Sequence, residues 1–99
     1  KNFIIFSVSK IYCFKMIKIT IKLFAKLKED IGESKIELML ESPVKISTIL
    51  DTISNDFGVD LSNRKNYMYA KNLEYCKDSE MLEDKDELAI IPPVSGGLL

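Results

Sequence analysis

Ile46-Ser47-Thr48-Ile49-Leu50-Asp51-Thr52-Ile53-Ser54-Asn55-Asp56-Phe57 is the stretch that decides the architecture. Its apolar residues, Ile46, Ile49, Leu50, Ile53 and Phe57, fall at i, i+3, i+4, i+7 and i+11, the repeat of a helix with one apolar stripe. Gly58 follows at once and can take the left-handed conformation that closes a helix without a Cβ penalty. No other stretch carries so clear a helical pattern. All five stripe residues, Phe57 included, are expected to pack on a sheet.

The segments on either side alternate with period two. Ile17, Ile19, Ile21 and Leu23 alternate with Lys18, Thr20 and Lys22, a strand rich in β-branched residues. Phe24 to Gly32 reads as a polar loop or short helical turn closed by the glycine. Ile36, Leu38 and Leu40 alternate with Glu37, Met39 and Glu41, a second strand able to form a hairpin with the first, and Ser42-Pro43 stops it. After the helix, Asp60 to Asn66 is a polar connector. Tyr67 to Ala70 reads as a third strand, Asn72-Leu73 as a turn and Glu74 to Cys76 as a short return. Glu80 to Asp86 is an acidic loop around Leu82, and Glu87 to Ile91 is the last strand, ended by Pro92-Pro93 because proline has no N–H for a ladder. The order β-β-α-β-(β)-β implies an α+β domain, a mixed sheet with one main helix across one face: the β-grasp, or ubiquitin-like, arrangement. The first strand is expected at the centre of that sheet.

Composition narrows the chemistry. Fourteen basic against fifteen acidic residues leave a net charge of −1, a poor match for nucleic acid. The chain has no histidine. That removes imidazole acid–base catalysis, Ser-His and Cys-His pairs and most zinc or copper sites, so no metal site is expected. Cys13 and Cys76 have neither a CxxC spacing nor the density of a disulfide framework, which suggests a reduced, cytoplasmic setting. At 99 residues there is room for one simple core.

Charge divides the chain at Met16: residues 1–15 carry +3 and residues 16–99 carry −4. The first fifteen residues, KNFIIFSVSKIYCFK, are apolar without periodicity, too short to span a bilayer and without a small-residue cleavage site. They are expected to be an extension that is non-native or poorly ordered, with an added edge strand or a weak targeting segment as alternatives. The β-grasp domain is then expected over 16–94 and a flexible tail over 95–99.

The tail has its own physical logic. Pro92-Pro93 fixes φ and launches the chain away from the sheet. Gly96-Gly97 has no side chains, so it can thread a narrow channel and let a partner surround its backbone closely. With Val94 and Ser95, the whole stretch Asp84-Lys85-Asp86-Glu87-Leu88-Ala89-Ile90-Ile91-Pro92-Pro93-Val94-Ser95-Gly96-Gly97 resembles the ending of the small, sulfur-carrying subunits of molybdopterin synthase, approximately GDEVAxxPPVSGG. Met16-Ile17-Lys18-Ile19 and Phe24-Ala25-Lys26-Leu27-Lys28-Glu29 resemble that family's start, and Asn72-Leu73-Glu74 lies at its VN-type turn. The resemblance covers residues 16–97. Lys85 stands in place of a glycine, Lys28 in place of an arginine and Lys71 in place of a valine.

The resemblance implies a sulfur carrier rather than an enzyme in its own right. An E1-like adenylating enzyme would use ATP to adenylate the terminal carboxylate of Gly97, and a sulfur donor system would then convert it to a thiocarboxylate. The large subunit of a heterotetrameric synthase would receive the tail and pass the sulfur to a pterin, forming the dithiolene of the molybdenum cofactor. No cofactor would be bound by the chain directly, and neither nucleic acid nor membrane would be a partner. Phe24, Tyr75 and Ile91 match apolar positions by which the family docks its partners; ordinary packing is the other reading. Leu98-Leu99 depart from the pattern, because with them attached the Gly97 carbonyl is an amide that cannot be adenylated. Their removal is expected to precede activation. The acidic cluster Glu80, Glu83, Asp84, Asp86 and Glu87 lacks the spacing of a calcium loop and reads as a solvated loop; Cys76 reads as a packing residue rather than a sulfur relay. A carrier for thiazole synthesis, a ubiquitin-like protein modifier and an interaction module with a vestigial tail are the competing functions.

Overall fold

Strand β1 (Lys15–Leu23) buries Ile17, Ile19, Ile21 and Leu23 to within 1% exposure and leaves the residues between them outside, as alternation requires. The computed structural model describes residues 15–93, so the expectations for residues 1–14 and for Val94 to Leu99 lie outside the described residues. After β1 come α1 (Ala25–Ile31), β2 (Lys35–Ser42), β3 (Val44–Lys45), α2 (Ile46–Phe57), a 3-10 turn (Arg64–Asn66), β4 (Met68–Lys71), β5 (Glu74–Cys76), β6 (Met81–Leu82) and β7 (Glu87–Ile91).

Five strands form one sheet in the order β2-β1-β7-β4-β5, and β3 pairs with β6 beside it. β1 and β7 run parallel, with Ile21 opposite Leu88 and Leu23 opposite Ile90. The other neighbours are antiparallel. This is the β-grasp arrangement, with two departures from expectation: β6 forms inside the stretch Glu80 to Asp86 that reads as a loop, and the strand order differs. β1 is an interior strand, but the middle position belongs to β7, whose Leu88 and Ile90 are fully buried. A strand that the chain adds last fits there because the parallel β1–β7 pairing is made by a crossover rather than a hairpin.

Helix α2 lays Ile46, Ile49, Leu50 and Ile53 on the sheet, each with no exposed surface. Its first N–H groups are not capped by a side chain. The N–H groups of Ile46 and Ser47 donate instead to the carbonyls of Glu80 and Asp78, both at 3.1 Å, which satisfies two of the donors a helix start leaves free. Gly58 ends the helix at φ 66. Phe57 departs from expectation: it is 41% exposed. The chain reverses at Gly58, and Val59 and Leu61 come back to fill the core at that end. The helical stripe thus ends one turn early. Leu61 lies inside the connector that reads as polar, and Tyr67 precedes the third strand rather than opening it.

α1 makes a helix of the short turn after Phe24, burying Leu27 and ending on Gly32 at φ 89. Ile36, Leu38 and Leu40 of β2 are half-buried, since β2 is an edge strand with one side uncovered. Among the described residues the buried set contains no polar or charged side chain, and no helix is long and apolar enough to cross a membrane.

Candidate functional site: the tail root and the open sheet face

β7 carries the tail, and two ladders hold it. Its residues pair with Thr20 to Leu23 on one side and with Met68 to Lys71 on the other. Ile90 sits between Leu23 and Tyr69 in the core, so a pull on the tail is resisted across the whole sheet. Pro92 is buried and Pro93 exposed. The step from buried to exposed chain after β7 falls between the two prolines. Val94, Ser95, Gly96 and Gly97, the rest of the expected tail site, lie outside the described residues, as do Leu98 and Leu99.

The strand's other end is fixed by carboxylates. Asp86 accepts from Asn72 Nδ2 at 3.0 Å and from the Glu83 N–H at 2.7 Å. Asn72 Oδ1 accepts from the Glu87 N–H at 2.9 Å, and the Asn72 N–H returns to the Glu87 carbonyl at 2.8 Å. Asp84 accepts from the Lys18 N–H at 2.8 Å. The acidic loop is solvated, as its sequence reads, and its carboxylates also anchor the β4–β5 turn to β1 and β7. Lys71 joins it, donating to the Met81 carbonyl at 2.9 Å and to Glu80 at 3.2 Å, and the hydrogen bond to Glu80 raises its ammonium pKa. Glycine and hydrophobic spacing give no hint of such side-chain anchors. Alternating Asp and Asn residues near a turn are the one available signal.

The sheet face away from α2 has no covering element among the described residues. Parity places Lys22, Ala89, Ala70 and Tyr75 in one row across β1, β7, β4 and β5 on that face, with Ile91 and Met68 paired in the next row. Phe24 extends β1 by one residue in an extended conformation, φ −133 and ψ 157. It therefore shares the parity of Lys22. The three expected docking residues, Phe24, Tyr75 and Ile91, come to the same face at its tail end. Tyr75 is 72% exposed and Phe24 43%, so neither is core. Met68, 51% exposed, completes the patch and was not singled out by the sequence; the in–out alternation of Met68 and Tyr69 is the signal that points to it. A Lys22–Glu87 ion pair at 3.3 Å lies on the same face beside the apolar area. An exposed apolar group with charge beside it has the composition of a docking surface.

Other candidates stay apart from this surface. Cys76 is on the core side of β5, and burial raises its thiol pKa, the opposite of what activates a cysteine nucleophile. No group of three or more metal-ligating side chains comes together among the described residues.

Comparison with known proteins follows the same outline. The ThiS family pattern matches residues 21–97. The molybdopterin synthase sulfur carrier subunit of Anopheles gambiae is 37% identical over 86 residues, covering 82% of this chain and 93% of that protein. The crystal structure of SAMP1 from Haloferax volcanii superposes with a TM-score of 0.71 at 26% identity, over 81% of this chain and 99% of that one. A chain in the complex of subunits 1 and 2 of the molybdopterin-converting factor from Helicobacter pylori shares the fold, with a TM-score of 0.56 at 18% identity, over 82% of this chain and 100% of that one. The chain belongs to the ThiS family, together with the molybdopterin synthase sulfur carrier subunits.

Proposed function

We propose that the chain is the sulfur carrier and small subunit of a molybdopterin synthase, working in the cytoplasm as a donor and leaving catalysis to its partners. The observation that carries this reading is the placement of β7: a central, doubly paired strand ending on a buried then an exposed proline, directly ahead of Val94-Ser95-Gly96-Gly97. Family membership supports it. Hydrolysis of the Gly97–Leu98 peptide bond first frees the Gly97 carboxylate, which then attacks the α-phosphorus of ATP in an E1-like enzyme, and pyrophosphate leaves. Sulfide-level sulfur from a donor system then attacks the acyl carbon, AMP leaves with the electron pair of the broken C–O bond, and a thiocarboxylate remains. The open sheet face, with Phe24, Tyr75, Ile91 and Met68, docks the large subunit, which takes the tail and the sulfur for dithiolene formation. The docked area matters because a thin tail alone buries too little surface to hold a stable complex.

Intact-mass measurement tests the reading. Incubated with the activating enzyme, ATP and a sulfur donor, the chain ending at Gly97 is expected to exchange one oxygen for sulfur. The chain carrying Leu98-Leu99 is expected to stay unchanged, because its Gly97 carbonyl is an amide. Sulfur on the longer chain with both leucines still attached overturns the assignment of Gly97. A modifier role has one supporting observation, the similarity to SAMP1, a small archaeal modifier protein; it predicts Gly97 joined to a lysine amine of another protein, which the same mass measurement on lysine-containing partners detects.

A further inference from the structure

The residues around Pro92 line a cleft that the carrier chemistry does not by itself require. Antiparallel β4 and β7 pair Met68 with Ile91, so the next residues along, Tyr67 and Pro92, stand opposite each other where the ladder ends. Both have the parity of buried neighbours, Tyr69 and Ile90. Tyr67 is half-buried against the core, and Pro92 is buried. Ala25 and Leu27 of α1 line the same cleft as Tyr67, Pro92 and Pro93. The Tyr67 phenol is held above its ordinary pKa by burial and by the carboxylates of Asp30 and Asp60, and Lys26 pairs with Asp30 at 2.6 Å beside it.

We propose that Tyr67 is a positioning residue: with Ala25 and Leu27 it grips Pro92 and sets the direction in which the tail leaves the sheet. The physics is that of a short stiff lever. Both prolines have fixed φ, and Pro93 restricts Pro92 to the extended region. Orientation imposed at Pro92 therefore carries through Pro93 into the tail. An aimed root leaves less conformational freedom to be lost when a partner threads the tail, the general gain of preorganisation. Since docking depends on the open sheet face and threading on the tail, loss of the clamp falls on turnover rather than on apparent affinity.

The enzymatic half of the test rests on the carrier reading, and the second half does not. Pyrophosphate release is measured with the activating enzyme, ATP and the chain ending at Gly97. Tyr67→Ala is expected to lower kcat about tenfold with KM within about twofold, while Tyr67→Phe, which keeps the ring, stays within about twofold on both. Val44→Ala, a buried change in β3 at the other end of the domain, lowers the thermal midpoint without moving kcat. In the free protein, the amide resonances of residues 94–97 shift in Tyr67→Ala but not in Tyr67→Phe or Val44→Ala. Unchanged tail resonances in Tyr67→Ala overturn the clamp, whatever the enzyme does. Shifted resonances with an unchanged kcat, or an equal fall of kcat in Val44→Ala, overturn its part in activation. A chain that is never turned over refutes the carrier reading and leaves the resonances to decide the clamp.

Discussion

Ala25, Asn72, Leu73 and Lys85 hold positive φ among the described residues, at 53, 51, 75 and 72. Lys85 stands where the family pattern has glycine, and its backbone takes the conformation that glycine adopts freely. Its N–H donates to the Lys18 carbonyl at 2.8 Å, which fixes that strained geometry at the point where the loop meets β1. Asn72 and Leu73 make a two-residue hairpin loop between Lys71 and Glu74, where both positions need φ above zero and the second favours glycine. Asn72 tolerates this and uses its side chain on Asp86 and Glu87. Leu73 does neither and is 84% exposed. Leu73→Gly is therefore expected to raise stability by about 0.5–1 kcal/mol, the relief of left-handed strain less the extra freedom of glycine when unfolded. Chemical denaturation checks it, and a lower midpoint in the variant would show that no strain is stored there.

Helix α2 shows how one apolar stripe divides into packed and unpacked residues. Leu50 has no exposed surface and lies on the sheet with Ile46, Ile49 and Ile53. Leu50→Ala is expected to cost about 2–5 kcal/mol, the loss of buried methyl groups together with the cavity left behind. Phe57→Ala, at the same helical face but 41% exposed, is expected to cost less than about 1 kcal/mol. Equilibrium unfolding of the two variants measures the difference. Equal losses would mean that the last turn packs as firmly as the middle. The start of the helix depends on the loop before β6, since Glu80 and Asp78 accept from its first N–H groups, so α2 and β3–β6 form one unit rather than two.

At the scale of the whole molecule, the two sheet faces have different surroundings. One is sealed by α2 and makes the core. The other carries Phe24, Met68, Tyr75 and Ile91 near the end of β7, so under the proposed carrier role docking and delivery would share one end of the domain. Tyr75→Ala is expected to weaken large-subunit binding by about tenfold or more, as loss of an exposed aromatic anchor does. It should leave the thermal midpoint almost unchanged, because a side chain 72% exposed contributes little to the core. Calorimetric titration with the large subunit and a thermal scan separate the two effects. Unchanged affinity would return Tyr75 to an ordinary surface residue.

The sequence by itself determined the principal elements, β1, β2, α2, β4, β5 and β7, and their order, but not the short β3–β6 pair. The 3.6-residue stripe of α2, the alternation in β1 and β2, the glycines that end both helices and the prolines that end β7 are local signals, legible because they arise from neighbours in the chain. The Pro-Pro-Val-Ser-Gly-Gly stretch was legible for the same reason. Only the tertiary structure decided which strand takes the middle of the sheet, because parallel pairing of β1 and β7 joins residues more than sixty apart. The same long-range packing exchanged Phe57 for Val59 and Leu61 in the core. It also gave the surface carboxylates Asp84 and Asp86 hydrogen-bond partners on β1 and the β4–β5 turn, and brought Met68 beside Ile91. Each of these outcomes depends on which groups remain to be covered or paired once the sheet has formed, and no local pattern carries that information.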